Sequence, residues 1–215
     1  MNFVGQLVIL ITFTLSVISL SFAQENLIVD SSFEESPHAS WVDWKDYGPG
    51  IRDFDNTEKV YSGIESYKVT VTDASSRWDS EIALQEYITE IRADDKFEAN
   101  AYFMIPKDNP LSGHVEAYLE VIFFDGKRKE IEGETSKFQS QKYGYGKCEN
   151  TWTKLTIKGI APPGAGSCKL QLVVLPLPYF PDSGDVDLES EEIYSGTIYF
   201  DDVSLVNKSR EIVVI

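Results

Sequence analysis

The strongest constraint on this chain is a two-residue alternation of apolar and polar side chains, repeated in run after run. In Ser66-Tyr-Lys-Val-Thr-Val-Thr72, Tyr67, Val69 and Val71 share one face. Phe97, Ala99, Ala101, Phe103 and Ile105 alternate with Glu98, Asn100, Tyr102 and Met104. Val115, Ala117, Leu119, Val121 and Phe123 alternate with Glu116, Tyr118 and Glu120. Leu155 and Ile157 follow Trp152, and Leu170, Leu172 and Val174 follow Cys168 in the same rhythm. A period of two puts alternate side chains on opposite faces of a strand, so each run predicts a half-buried strand of an antiparallel sheet. Turn signals separate them: Tyr61-Ser-Gly63, Ala93-Asp-Asp95, Pro106 to Gly113, Asp125-Gly126 and Ala161-Pro-Pro-Gly164. Glu81 to Ile91 fits a strand ending in a turn, and no long segment carries a helical period. Nine or ten short strands at even spacing predict an all-β chain: a two-sheet antiparallel jelly-roll β-sandwich.

Residues 1–23 stand apart. Leu7 to Leu20 holds no charge, and Ser21-Phe-Ala23 places small residues where signal peptidase reads, although no Lys or Arg precedes the run. This predicts a secretory signal cleaved before Gln24, leaving residues 24–215 as one domain at the cell surface, in the medium or in the periplasm; the alternative is an uncleaved membrane anchor, although the run is shorter than the ~20 residues a span needs. The net charge of −16 excludes binding of nucleic acid or anionic membranes through a basic patch. Neutral polymers and cations are the better partners. Cys148 and Cys168 are an even pair in an exported chain, which predicts a disulfide. It would close a loop of about twenty residues and stabilise by roughly 3 kcal/mol in the chain-entropy model.

Two stretches break the strand pattern. Lys137 to Asn150 is polar and rich in Tyr and Gly, with Tyr143 and Tyr145 placed either to clamp a ligand or to fold the loop. Pro176 to Ser195 carries three prolines and six acidic residues, with Tyr179 and Phe180 among them. Long irregular segments in a compact domain are commonly functional or solvated.

The chain ends add a further clue. Asn26-Leu-Ile-Val-Asp-Ser-Ser-Phe-Glu34 and Tyr199-Phe-Asp-Asp-Val-Ser-Leu205 are apolar strand phrases carrying carboxylates. In a sandwich the first and last strands commonly lie side by side. A hard cation such as Ca²⁺, which takes six to eight oxygen ligands, would hold such carboxylates together.

The order of phrases resembles the calcium-containing jelly-roll carbohydrate-binding modules attached to bacterial cellulases and xylanases. The opening phrase Asn26 to Glu34 carries the likeness, as do Trp41-Val-Asp-Trp44, Tyr61-Ser-Gly-Ile-Glu-Ser-Tyr-Lys-Val-Thr70 and the Arg77-Trp78 turn. Trp152-Thr-Lys-Leu155, Pro162-Pro-Gly-Ala165 and Asp201-Asp-Val-Ser-Leu205 complete it. The likeness spans Asn26 to Val206, and the acidic stretch from Pro176 is longer than such modules carry there. The resemblance implies one structural Ca²⁺, with Glu34 and Asp201 as side-chain ligands and carbonyls near Ser32 and Ser62 completing the shell. Asp202 is the alternative to Asp201, because neighbouring strand residues face opposite ways.

It also implies recognition of a neutral polysaccharide. Sugars stack their C–H faces on aromatic rings and need polar partners around the rim. Arg77, Trp78, Tyr102, Glu116, Tyr118, Glu120, Tyr145 and Gln171 supply such groups, paving one concave surface if their strands share a sheet. Trp41, Trp44 and Trp152 are expected in the core. The alternative on the same fold is a cell-surface or matrix module that contacts other proteins.

Catalysis is not expected. Glu116 and Glu120 lie four residues apart on one strand face, roughly 13 Å, too far for a retaining glycosidase pair and marginal for an inverting one. The only histidines, His38 and His114, fall near turns. No nucleophile elbow, zinc-protease motif or phosphate loop is present.

Overall fold

The computed structural model describes residues 24–43, 50–74, 81–112, 115–133, 136–144, 150–176 and 194–209. The expected signal segment and most of the acidic stretch lie outside them. The described elements are strands: β1 (Val42–Asp43), β2 (Ile51–Asn56), β3 (Ser66–Ala74), β4 (Glu81–Ile88) and β5 (Lys96–Met104). They continue with β6 (Val115–Asp125), β7 (Lys137–Gln139), β8 (Thr153–Ile160), β9 (Ala165–Pro176) and β10 (Tyr194–Asn207). A front sheet runs β1-β4-β9-β6-β7 and a back sheet runs β2-β3-β10-β5-β8. The pairings within both sheets are antiparallel. The chain is an all-β, two-sheet sandwich.

The alternation decides which faces meet. Every residue expected on an inner face is in the core between the sheets, from Tyr67, Val69 and Val71 on β3 to Leu170, Leu172 and Val174 on β9. Fully burying such a side chain stabilises by roughly 1.5–3 kcal/mol, so a register slip of one residue would forfeit a whole strand's worth.

The opening phrase Asn26 to Glu34 forms no strand, which corrects that part of the expectation, yet it meets β10 through hydrogen bonds. Leu27 N donates to Leu205 O (2.8 Å), and Val203 N donates to Ser31 O (2.7 Å). Between these, the Asn26 side chain mimics a peptide. Its Nδ2 donates to Val203 O (3.0 Å), and its Oδ1 accepts from Leu205 N (3.0 Å).

Trp41 is in the core, and its indole N–H donates to Asp30 O (3.0 Å). Trp44 lies outside the described residues. Trp152 departs from expectation: it is half-buried and packs edge-on against Tyr61 at 5.7 Å. Tyr143 folds its loop, exchanging backbone hydrogen bonds with Ala117 and setting its ring 4.8 Å from Phe103.

The expected disulfide is not shown among the described residues. Cys168 is a free thiol in the core, and Cys148 lies outside the described residues. Burial, aided by the nearby Glu90 charge, pushes the Cys168 thiol up to about 12. The thiolate is the reactive form. Native protein at pH 8 is therefore expected to leave Cys168 unlabelled by a maleimide, and unfolded protein to label it fully. Peptide mapping reads both states, and rapid native labelling would place the residue elsewhere.

Candidate functional site

The outer face of the front sheet gathers four of the expected sugar-binding residues. Glu116, Tyr118 and Glu120 alternate outward on β6. Glu120 is the Cα partner of Gln171 on β9 and of Gln139 on β7. The row is tied laterally by a bond from Gln139 Nε2 to Glu120 Oε1 (2.7 Å). On the β4 side Gln171 faces Leu84, and Tyr118 faces Val173 of β9. Adjacent strands lie under 5 Å apart, so an amide, a carboxylate and a phenol come within one sugar residue's reach.

This face is charged but internally balanced. Lys142 Nζ lies 4.7 Å from the Tyr118 ring centroid and 3.5 Å from Glu116 Oε2. Burial, then the charges of Glu120 and Glu116, hold the Tyr118 phenol protonated far above the ordinary tyrosine range. It is thus a neutral donor and acceptor at any physiological pH. At the far end of the face Arg128 and Lys169 lie over the Tyr87 ring at 4.5 and 5.2 Å. Tyr118, Glu120 and Gln171 are each less than a tenth exposed. Arg77, Trp78 and Tyr145 lie outside the described residues.

Tyr102 does not belong to this face. It sits on β5, paired with Asp201 of β10 and Lys154 of β8, and points outward from the back sheet. The whole core separates it from Tyr118. Its ring stacks on Tyr61 with centroids 3.8 Å apart and planes 14° from parallel. Beside the stack is a polar cavity of about 310 Å³ lined by residues that include Asn26, Asn100, Lys154 and Asp202. No alternation in the sequence links Tyr61, Tyr102 and Trp152; loops bring them together.

The carboxylates of the calcium expectation converge on one loop, residues 61–65. Asp201 is fully buried. Its Oδ2 accepts from Tyr61 N (2.8 Å) and Ser62 N (3.0 Å), and its Oδ1 from Asp202 N (2.7 Å). Glu34 Oε1 accepts from Ile64 N (2.8 Å) and Glu65 N (3.1 Å). Gly63, at φ 68°, lies between them, and a Cβ there would overlap Glu34 Oε1. Ser62 Oγ donates to Asp202 Oδ1 (2.7 Å). Burial raises Asp201 to about 6, even though three backbone N–H groups pull the other way. The donor set is oxygen only, which suits Ca²⁺. The bonds in place use both oxygens of Asp201 but only one of Glu34.

No protein-family model matches the chain, and no curated protein matches it by sequence. Solved structures do. A carbohydrate-binding module of the β-sandwich superfamily, from a study of promiscuous specificity, matches at TM-score 0.53 and 15% identity, over 82% of this chain and 60% of that one. The CBM22-1–GH10 modules of Clostridium thermocellum endo-1,4-β-D-xylanase 10B, complexed with xylohexaose, match at TM-score 0.51 and 16% identity. That match covers 89% of this chain and 29% of that one. The enzymatically active domain of bacteriophage CBA120 tailspike protein 4 matches at TM-score 0.53 and 12% identity, over 85% of this chain and 21% of that one. The chain spans less than two thirds of each of these structures. At these identities the likeness is one of fold: this chain has the β-sandwich fold of carbohydrate-binding modules.

Proposed function

We propose that the chain is an exported, non-catalytic module that binds a neutral polysaccharide on the outer face of its front sheet. The observation that carries this reading is the registered row Gln171–Glu120–Gln139 beside the neutral Tyr118 phenol. Amides and a carboxylate at strand spacing match vicinal hydroxyls, and the net charge of −16 disfavours polyanions. Trp78 and Tyr145 would supply the stacking rings, as the resemblance implies. Because one matched structure holds xylohexaose, β-1,4-xylan heads the ligands to try. The residues 1–23 are removed on export, and one Ca²⁺ joins Glu34 to Asp201 and ties both ends of the chain to loop 61–65.

Affinity gel electrophoresis of residues 24–215 against xylan, β-glucan and cellulose derivatives tests this. The expected result is retardation by at least one neutral polymer, weakened roughly tenfold by Gln171→Ala and abolished by Trp78→Ala. Losing one hydrogen bond to a sugar costs about 1–1.5 kcal/mol, which is that tenfold. Unretarded migration in every gel would reject the reading. The low exposure of Tyr118, Glu120 and Gln171 would then favour the other reading, a module that contacts surface proteins.

A further inference from the structure

His38 is held in a fixed geometry by two carboxylates and an aromatic ring. Its Nδ1 lies 2.6 Å from Asp30 Oδ2, and that carboxylate is itself buried, its side chain 2% exposed. Asp30 is fixed in turn: its Oδ1 accepts from Glu35 N (3.0 Å), and its carbonyl accepts the Trp41 indole N–H. Phe54 of β2 stacks on the imidazole at 5.6 Å. The ring therefore has one fixed orientation, with Nδ1–H committed to Asp30 and Nε2 turned outward. Nε2 lies 3.1 Å from Asp55 Oδ1. Ligand atoms of His38, Asp55 and Glu65 all fall within 4.8 Å of one another. A cavity of about 410 Å³ lies alongside, lined in part by Asp53, Asp55 and Arg52.

We propose that His38, Asp55 and Glu65 form a binding site for a first-row divalent metal ion of the Zn²⁺ class. Three features argue for a metal ion beyond a plain ion triad. A ligating histidine characteristically donates its second ring N–H to a carboxylate, which sets the tautomer and raises the basicity of the ligating nitrogen. Asp30 occupies that place. The Nε2–Oδ1 separation of 3.1 Å is close to the edge, about 3.3 Å, of a tetrahedron with bonds of about 2.0–2.1 Å. The donor set is one imidazole and two carboxylates, which suits zinc and its neighbours and leaves a fourth position for water. Ca²⁺ and Mg²⁺, which want oxygen alone and more ligands, are disfavoured.

The three ligands come from different parts of the chain. His38 is in the loop before β1, Asp55 is on β2, and Glu65 immediately precedes β3. An ion there would tie that loop to the edge of the back sheet. Binding displaces any proton on Nε2 and replaces the His38–Asp55 contact with two metal–ligand bonds, so no co-reactant is needed. The site is separate in chemistry from the Glu34 and Asp201 carboxylates, although Glu65 N also donates to Glu34.

The test is a titration of the chelator-stripped, buffer-exchanged protein with Zn²⁺, followed by calorimetry and melting, with Co²⁺ absorption as a second readout. One saturable site is expected. At Zn²⁺ 100-fold above its Kd, melting should rise by roughly 5–10 °C. Co²⁺ should give a visible band of tetrahedral N/O coordination. Asp55→Asn and Glu65→Gln change partly exposed side chains, and each should weaken Zn²⁺ at least tenfold while melting cooperatively without metal. Should one variant fail to fold, the other carries the test. Absence of a saturable site, an affinity unchanged in the folded variants, or displacement of Zn²⁺ by equimolar Ca²⁺ would overturn the proposal.

Discussion

Replacing Phe33 by Ala is expected to destabilise the domain by about 4 kcal/mol and lower its melting temperature by roughly 10 °C. Phe33 is fully buried, with ring centroids 5.0 Å from Trp41, 5.8 Å from Tyr67 and 6.0 Å from Phe54. Its backbone is left-handed, at φ 59°, where a bulky residue pays roughly 1–2 kcal/mol. Burying an aromatic side chain among three others is worth roughly twice that or more, so packing wins and the turn holds. That turn aims the next residue, Glu34, at loop 61–65, so the variant should also loosen that loop. Phe33→Leu should recover half or more of the loss. Urea denaturation of the three proteins reads the ranking, and a Phe33→Ala midpoint equal to that of the parent would refute the role of this cluster.

Asp201→Ala is expected to cost about 3 kcal/mol. The substitution strands three backbone N–H groups, those of Tyr61, Ser62 and Asp202. Bonds to a charged acceptor contribute roughly 1.5–3 kcal/mol each, which would suggest a larger loss. Desolvation of the carboxylate, the same effect that raises Asp201 to about 6, offsets part of it. Asp201→Asn keeps one acceptor oxygen and should lose less. If Ca²⁺ joins Glu34 to Asp201, adding Ca²⁺ to chelator-stripped protein should raise melting of the parent and leave Asp201→Ala unmoved, because that variant no longer holds the ion. Equal Ca²⁺ shifts in both proteins would remove Asp201 from the cation site.

The strands were legible because period two is a direct record of burial. The alternation also placed Cys168: it falls in phase with Leu170, Leu172 and Val174, so it points into the core. The even count of two cysteines obscured that phase. Alternation says that a side chain points outward but not from which sheet. Tyr102 on β5 and Tyr118 on β6 are therefore indistinguishable by pattern, yet β5 lies in the back sheet and β6 in the front sheet. β2 gave no signal, because its side chains alternate between exposed and half-buried until Asn56. The Tyr61–Tyr102 stack and the His38 cluster were also hidden. Each joins a loop residue to strands that only the tertiary fold brings close, and a lone histidine near a turn says nothing of Asp30 and Asp55.

The most direct test of the account is to map where a glycan lands. Amide shifts of isotope-labelled residues 24–215 would be followed during titration with a soluble xylo-oligosaccharide, or with whichever neutral polymer fragment the gels select. Saturable shifts clustered at residues 116–120, 139 and 169–173 are the expected result. Shifts confined to Tyr61, Tyr102 and Trp152 on the back sheet, or none at saturating ligand, would contradict recognition by the front sheet.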